Sequence, residues 1–325
     1  MEKEVKRNKV NWSKFSTLGV LIILIIVSSL INKSFLSMNN ILNIAKQLAV
    51  PILLAYGAMI LVISGMIDLS AGSVLALSGV LSVAIYKSSG SLILAVLVAI
   101  GVGVLFNIIN AVMAVSLKVP AFIATLGVQM VARGLALYYT NGQNILQIGD
   151  YTVFGQGFVG VIPISVIITL VITVLIYYLM KHTKLGRSFY AVGSNSDAAV
   201  ASGIEVKKSL YKAFIINGIL VGIAGIIFMS RVNAGLPNGA VGYEMEGLTA
   251  TIVGGTSFTG GVGSTSGTLI GGVIIGVLNN IMNLVGVNSY VQQMARGFII
   301  AFAVIWDINT KGGKGSLFKI FKSKK

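Results

Sequence analysis

The stretch KHTKLGRSFYAVGSNSDAAVASGIEVKKSLYK, residues 181–212, is a basic polar segment within a chain that otherwise alternates long apolar runs with short polar breaks. Of the 325 residues, 55% are hydrophobic and only 10% are charged, and the mean hydropathy is +0.92. These values lie outside the range of soluble globular domains, so the composition predicts an integral membrane protein with several spans. A structured basic loop in such a protein is typical of a docking site for a partner.

The basic residues cluster in three places, at residues 3–14, 181–212 and 311–325. By the positive-inside rule, both termini and the segment between them are predicted to face the cytoplasm. Because these residues lie in tails and one loop, the net charge of +15 predicts contact with membrane lipid and no binding of nucleic acid. The sequence contains no cysteine, which excludes disulfides and thiolate metal sites.

Ten stretches are predicted to cross the membrane, an even number, as two cytoplasmic termini require. The Gly/Thr-rich stretch 247–262 is predicted to be a broken helix, which is tolerated only where protein or a water-filled cavity covers the backbone. The stretch 231–246, with Glu244 and Glu246, is predicted to lie outside. The fold class is all-α, a polytopic helical bundle forming one domain over residues 1–325, with cytoplasmic tails 1–14 and 308–325 and a cytoplasmic loop 181–209. The predicted spans are 15–31, 48–64, 72–87, 91–116, 121–139, 162–180, 210–230, 247–262, 267–285 and 290–307.

Two Gly-containing stretches resemble each other, ISGMIDLSAGS at 63–73 and VGGTSFTGGVGS at 253–264. Each is followed by an Ala-Arg-Gly, at 132–134 and 295–297. Related halves with Gly-interrupted segments at corresponding positions are typical of transporters, in which these segments flank the path. The sequence therefore predicts two weakly related halves.

A short helix is predicted over residues 194–203. Ser194 and Asp197 fit a capping box, and Gly203 fits the left-handed residue that ends a helix. The small side chains of this helix suit insertion into a groove on a partner. The alternative is a solvated loop helix that contacts nothing.

GRSFYAVGSNSDAAVASGIEV (186–206) resembles the cytoplasmic coupling loop of permease subunits in ribose-type sugar ABC importers. The resemblance extends to SGMIDLSAGSVLALSG (64–79), PAFIATLGVQMVARGLALYYTNG (120–142) and GGTSFTGGVGSTSGTLIGGVIIGVLNN (254–280). It implies a multi-pass protein of the bacterial cell membrane that pairs with a second copy or a paralogue. It also implies separate ABC ATPase subunits and an extracytoplasmic binding protein that delivers a pentose, a hexose or a sugar-derived solute such as autoinducer-2. The docking surface that it implies consists of Gly186, Arg187, Ala191, Val192, Gly193, Asn195, Ala198, Ala199, Gly203 and Ile204.

The sequence lacks the nucleotide-binding pattern GxxxxGK[ST], so ATP hydrolysis is assigned to another chain, and neither an enzyme nor a cofactor is predicted. The lone His182 indicates no metal site. Asp68 is predicted to cap the helix that begins near Ser70, or else to contact a gate. Polar, basic and glycine residues within the spans are candidates for a path, with helix-to-helix hydrogen bonding as the alternative for the amides. The candidates are Asn107, Asn110, Gln129, Arg133, Asn217, Gly254, Gly255, Asn279, Asn283 and Arg296.

Carriers driven by protons or sodium generally need an ionisable residue near the membrane centre, and the predicted spans offer no convincing carboxylate there. This pattern favours an importer driven by an external ATPase. Three alternatives stay open: a passive solute channel, a nucleoside-type ABC permease, and a scaffold or receptor without solute flux.

Overall fold

A computed structural model of the chain describes residues 12–311. Residues 1–11 and 312–325, which form most of the two predicted basic tails, lie outside the described residues. Seven helices in the described part are long and apolar enough to cross a membrane, which confirms the prediction of an all-α polytopic membrane protein. They are Met38–Ile63, Ala71–Ser89, Leu92–Ser116, Ala121–Thr140, Ile164–His182, Val206–Val232 and Thr265–Leu284.

Helices follow one another along the described chain with short connections. The longest connection, between α5 and α7, contains a 3₁₀ turn at Gly149–Thr152 and an antiparallel hairpin in which β1 (Phe158–Val159) pairs with β2 (Ile162–Pro163). A π-helical turn at Val112–Ser116 continues α4. The α-helices are α1 (Trp12–Ile31), α2 (Met38–Ile63), α3 (Ala71–Ser89), α4 (Leu92–Ala111), α5 (Ala121–Thr140), α6 (Val153–Gln156), α7 (Ile164–His182), α8 (Lys184–Ser194), α9 (Ser196–Ala201), α10 (Val206–Val232), α11 (Tyr243–Val253), α12 (Thr265–Leu284) and α13 (Ser289–Lys311).

Helices α2 and α10 form the centre of the bundle. In an apolar stretch of 18 residues in each of these two helices, 78% of the residues are buried, whereas the corresponding share in α4, α5 and α7 is 28%. A helix that is apolar all round suits such a central place, because every face meets another helix. Around this pair, α4 packs along α10, and α11 and α12 pack along α2.

Glycines allow α4 and α10 to approach each other closely. A Cβ atom at Gly103 would overlap the carbonyl oxygen of Gly218, and a Cβ atom at Gly222 would lie 2.6 Å from the carbonyl oxygen of Ala99. Helices in lipid gain no hydrophobic free energy by associating. Close packing of their backbones, of the kind seen here, stabilises the association instead. The four-residue spacing of Gly218 and Gly222 predicts this contact, and the structure confirms it.

The Gly/Thr-rich stretch 247–262 is helical only in its first part. The helix α11 has 11 residues and a length of about 16 Å, roughly half of the hydrocarbon thickness of ~30 Å. Residues 254–264 then form a loop that leads to α12. The helices α1, α11 and α13 are not among the seven, so the count of ten crossings stays a prediction. In addition, α2 begins ten residues before the predicted boundary at residue 48.

The two similar sequence stretches form neighbouring loops, at residues 64–70 and 254–264. The backbone N–H of Gly261 in the second loop donates to the carbonyl oxygen of Ile63, which precedes the first loop, at 2.8 Å. Each loop connects two helices, α2 to α3 and α11 to α12. The Ala-Arg-Gly triplets do not correspond, because two helices separate the first loop from α5 and only α12 separates the second loop from α13.

Candidate functional site

Within the basic polar segment, two short helices, α8 and α9, connect the long helices α7 and α10. Asn195 caps α9, since its Oδ1 accepts from the backbone N–H of Ala198 at 2.9 Å. The predicted capping box of Ser194 and Asp197 is wrong, because Ser194 is still the last residue of α8 and its hydroxyl donates to the carbonyl oxygen of Tyr190. Gly203 has φ of +78°, as predicted for the residue that ends the helix.

The ten predicted docking residues divide by exposure. Gly186, Val192 and Ala199 are buried and pack the segment against the rest of the chain. Ala199 is only 3% exposed, so it attaches α9 to the bundle and is not part of an accessible surface. The residues Ala191, Gly193 and Ile204 are half-buried, and the exposed ones are Arg187, Asn195, Ala198 and Gly203.

The helix α8 contacts both of the neighbouring loops. A Cβ atom at Gly193 would overlap the carbonyl oxygen of Ile63 and would lie 2.9 Å from the N–H of Gly261. The hydroxyl of Tyr190 donates to the carbonyl oxygen of Gly263 at 3.0 Å. Burial raises the pKa of Tyr190 above its ordinary value, so this hydroxyl stays a donor at neutral pH. A displacement of α8 would therefore act on the end of α2 and on the loop that leads from α11 to α12.

A carboxylate lies at the centre of a buried network between α3, α4 and α10. The Oδ1 atom of Asp68 accepts from the N–H of Ser70 at 2.7 Å and from its hydroxyl at 2.5 Å. The Oδ2 atom accepts from Asn217 Nδ2 at 2.7 Å, and the same Nδ2 donates to Asn107 Oδ1 at 2.8 Å. Asn110 Nδ2 donates to the Ser70 hydroxyl at 2.9 Å. The N-cap residue of α3 is Ser70, and the bond from its N–H to Asp68 closes a turn just before the helix, so Asp68 is not itself the cap that was predicted.

The three asparagines of this network are buried between helices. Asn107, Asn110 and Asn217 are at most 1% exposed. They join α4 and α10 to the loop between α2 and α3, which corresponds to the alternative of helix-to-helix hydrogen bonding.

A second polar cluster surrounds Glu244 in the first turn of α11. Gln129 on α5 donates from Nε2 to Glu244 Oε1 at 3.3 Å. Arg133, one turn further along α5, donates from Nη1 to the carbonyl oxygens of Pro237 and Gly239 at 2.6 and 2.8 Å. The candidates Gln129 and Arg133 thus attach α5 to the start of α11 and to the segment that precedes it.

A third cluster lines a cavity of about 460 Å³ between α2, α10, α11, α12 and α13. Arg296 on α13 pairs with Glu246 on α11, and its Nε donates to Asn279 Oδ1 at 3.2 Å. Asn283 lies at the exposed rim of the cavity, where its Oδ1 accepts from Gln292 Nε2 at 2.8 Å. Among the predicted path residues, Asn279, Asn283 and Arg296 are those that line this cavity.

The remaining candidates, Gly254 and Gly255, lie at the end of α11. A Cβ atom at Gly254 would overlap the carbonyl oxygen of Gly267 on α12, so this glycine allows close helix contact. Gly255 has φ of +88°, which favours glycine over residues with a side chain. Both residues therefore have structural reasons to be glycine.

The two carboxylates of the predicted outer stretch belong to a helix. Glu244 and Glu246 lie in the first turn of α11, which begins at Tyr243 directly after Gly242 with φ of +84°. Both carboxylates are buried, as is Asp68, so the bundle does contain acidic side chains. Scarcity of acidic residues therefore does not by itself exclude an ion-coupled carrier.

The sequence family of permease components of branched-chain amino acid transport systems matches residues 40–304. The chain belongs to this permease family. The permease is 39% identical over 292 residues to the ribose import permease protein RbsC of Haemophilus influenzae, which covers 88% of this chain and 90% of that protein. It is 34% identical over 299 residues to the D-allose transport system permease protein AlsC of Escherichia coli, with coverage of 91% and 92%.

A further relative is the xylose transport system permease protein XylH of Haemophilus influenzae, 30% identical over 357 residues, with coverage of 90% of this chain and 95% of that protein. No solved structure matches the chain. The permease is therefore a multi-pass membrane component of a transport system and not an enzyme. This membership, and not the count of acidic residues, decides against a carrier that works alone.

Sequence reasoning missed Lys46 and Arg231 as residues of the cavity. A signal was present, because Lys46 stands five residues before Pro51 in a run that is otherwise apolar or amidic. A basic residue at such a place needs water or a polar partner. The predicted start of the second span at residue 48 left Lys46 in a loop and hid this signal.

Proposed function

We propose that the permease is the membrane-spanning subunit of an ABC importer for a sugar or a sugar-derived molecule. The names of its relatives support this assignment, since they describe permeases for ribose, D-allose and xylose, and a probable ABC transporter permease protein. Such an importer takes its energy from a separate ATPase and receives its solute from a separate binding protein.

The observation that carries the proposal is the capped helix α9. It is held to the bundle by Ala199 and presents the small side chain of Ala198 to the outside. A cleft on an ATPase can accept a helix with such a small exposed side chain. Motion of α9 would pass through α8 to Ile63 and Gly261, and so to α2 and to the loop between α11 and α12. These contacts make α8 and α9 a suitable coupling segment on the cytoplasmic side, together with both termini.

The binding protein is proposed to dock at the opposite end. The helix α10 starts just after α9 and is 27 residues long, so it ends about 40 Å away. There the stretch 140–161 and the loop 233–242, which is the non-helical part of the predicted outer stretch 231–246, meet in a short antiparallel bridge between Ile145 and Gly235, with N···O distances of 2.8 and 2.9 Å. A surface made of two joined loops is a suitable receptor for a rigid partner.

The cavity lined by Asn279, Asn283 and Arg296 adjoins this end, and we assign it to the entrance of the solute path. The path itself is expected to continue between two permease subunits, either two copies or this chain and a paralogue. Alternating access would follow from rocking of the helices when the ATPase subunits close.

The experiment is uptake into proteoliposomes that contain the permease with the ATPase and binding protein recovered with it from native membranes. We expect ATP-dependent accumulation of at least one of the labelled sugars ribose, allose and xylose. Flux of the sugars without ATP would support a passive channel instead. Absence of flux with an ATPase that is active and bound would contradict the proposal.

A further inference from the structure

The cavity between α2, α10, α11, α12 and α13 has an excess of positive charge. Its titratable lining groups are Lys46 on α2, Arg231 on α10, Glu246 on α11 and Arg296 on α13, while α12 contributes neutral amides. Tyr243 contributes a hydroxyl to the lining. Three cations thus face one carboxylate.

Within the described residues, only Arg296 forms an ion pair in this cavity, with Glu246, whose carboxylate also attracts Arg231 over a longer distance. Arg231 donates to the carbonyl oxygen of Gln47 at 3.3 Å and to the hydroxyl of Tyr243 at 3.1 Å, and both acceptors are neutral. The Nζ atom of Lys46 lies 4.3 Å from the centroid of the Phe158 ring and forms no ion pair in the described part of the chain. Neither Lys46 nor Arg231 thus forms an ion pair in the described part of the chain, and one carboxylate does not balance the positive charge of the cavity.

The other groups that line the cavity indicate which further chemical groups a bound anion would carry. The carboxamides of Asn43, Gln47 and Asn279 offer donors and acceptors of the kind that hydroxyl groups use. Guanidinium and ammonium groups bind phosphate and carboxylate oxygens with short, charge-assisted hydrogen bonds. The volume of about 460 Å³ lies within the range of small-molecule sites.

We propose that this cavity binds a polyol that carries one phosphate or carboxylate group, with the oxyanion on Lys46 and Arg231 and the hydroxyls on the surrounding amides. Two sources share this chemistry, a soluble sugar phosphate or sugar acid and the glycerophosphate headgroup of an anionic phospholipid. For the soluble source, the inference rests on the proposed function, because it narrows the class of solute that the entrance accepts.

The test is calorimetric titration of the full-length permease in nanodiscs of phosphatidylcholine, with ribose 5-phosphate and ribose as probes. Ribose 5-phosphate is expected to bind at least about tenfold more tightly than ribose, since one charge-assisted hydrogen bond accounts for such a factor. The substitution Lys46→Gln is expected to weaken binding of ribose 5-phosphate about tenfold or more. Lys87→Gln is the matched control, because Lys87 donates to the carbonyl oxygen of Leu146 outside the cavity, and it should leave binding unchanged.

A second arm distinguishes the two sources. Nanodiscs with one quarter phosphatidylglycerol should abolish binding of ribose 5-phosphate if the lipid headgroup occupies the cavity, and should leave it unchanged if the site serves a soluble ligand. The variant Arg231→Gln repeats the test at the other cavity cation that forms no ion pair. In the lipid case, both cavity variants, Lys46→Gln and Arg231→Gln, should bind less phosphatidylglycerol in native mass spectra.

Equal binding of ribose and ribose 5-phosphate would overturn the proposal, as would equal binding by the wild type and Lys46→Gln. Failure of both ribose 5-phosphate and phosphatidylglycerol to bind would overturn it too. The titration needs no ATPase and no binding protein. Loss of ATP-driven uptake with intact titration would therefore contradict the proposed function and leave the cavity assignment standing.

Discussion

Replacing Asp68 by asparagine should destabilise the bundle although the two side chains have the same shape. The carboxylate accepts four hydrogen bonds, two from Ser70 on Oδ1, a long one from Asn110 on the same oxygen, and one from Asn217 on Oδ2. An asparagine has only one acceptor oxygen, so its amide N–H₂ would face a donor. The least disruptive placement keeps the bonds with Ser70 and sets the new N–H₂ against Asn217 Nδ2.

The magnitude follows from the number of donors that lose an acceptor. In Asp68→Asn, Asn217 keeps its bond to Asn107, and one opposed N–H₂ contact remains, which costs about 1 to 3 kcal/mol as an unsatisfied buried group. Relief from burying an ion offsets part of this cost. In Asp68→Ala, the N–H of Ser70 and the amide of Asn217 both lose an acceptor, so the expected cost rises to roughly 2 to 6 kcal/mol.

The assay is equilibrium unfolding by sodium dodecyl sulfate in mixed micelles, followed by circular dichroism. Asp150→Asn is the control, because Asp150 is an exposed acidic residue in a loop and its substitution should change the free energy of unfolding by less than about 0.5 kcal/mol. The reasoning would be refuted if Asp68→Ala unfolded at the same detergent fraction as the wild type.

Three further substitutions test other contacts. Glu246→Gln should destabilise the fold by about 0.5 to 1.5 kcal/mol because the half-buried Arg296 loses its anion. A double-mutant cycle with Arg296→Gln in the same unfolding assay should show a coupling energy above about 0.5 kcal/mol, and strict additivity would contradict this pair. Gly193→Val should abolish solute uptake in cells, since its side chain would displace Ile63 from α8, and normal uptake would show that this junction is not needed for coupling. Asn195→Ala should destabilise α9 by about 0.5 to 2 kcal/mol, which amide hydrogen exchange would detect as lost protection in that helix alone.

The sequence predicted the long helices well because their signal is simple. Apolar runs of about 20 residues separated by polar breaks mark the seven helices that can cross a membrane, and only their ends differ from the predicted spans. The start of α2 was placed ten residues late, because Asn40, Asn43, Lys46 and Gln47 make its first turns polar. In the fold, those turns line a polar cavity. The sequence of one segment does not show that other helices will form such a cavity beside it.

The polar residues of the candidate site were predicted only in part, because their roles also depend on contacts between distant segments. The polar amides were singled out as path candidates. In the structure, Asn217 binds both Asn107 and Asp68, and Asn110 binds Ser70 in the same network, while Asn279 lines a cavity. Composition does not distinguish these two cases, because the outcome depends on which helices face each other. The pairing of Arg296 with Glu246 joins residues 50 positions apart and likewise needs the fold.

The exposure of the residues in α9 decides which of them should be substituted to test docking of an ATPase. A bulky side chain at Ala199 would be forced into the bundle, so loss of activity there would not separate folding from docking. Ala198 is exposed and carries no side chain beyond Cβ, so it is the position at which added bulk acts on a partner alone.

The most direct measurement is recovery of an ATPase with the permease from native membranes, quantified by mass spectrometry for the wild type, Ala198→Trp and Val161→Trp. Val161 lies in the exposed hairpin turn between β1 and β2, so its variant carries the same added bulk far from α9. The account predicts that the wild type and Val161→Trp retain the ATPase and that Ala198→Trp loses it while still folding. Equal recovery with all three proteins, or none with the wild type, would contradict the claim that α9 docks an ATPase.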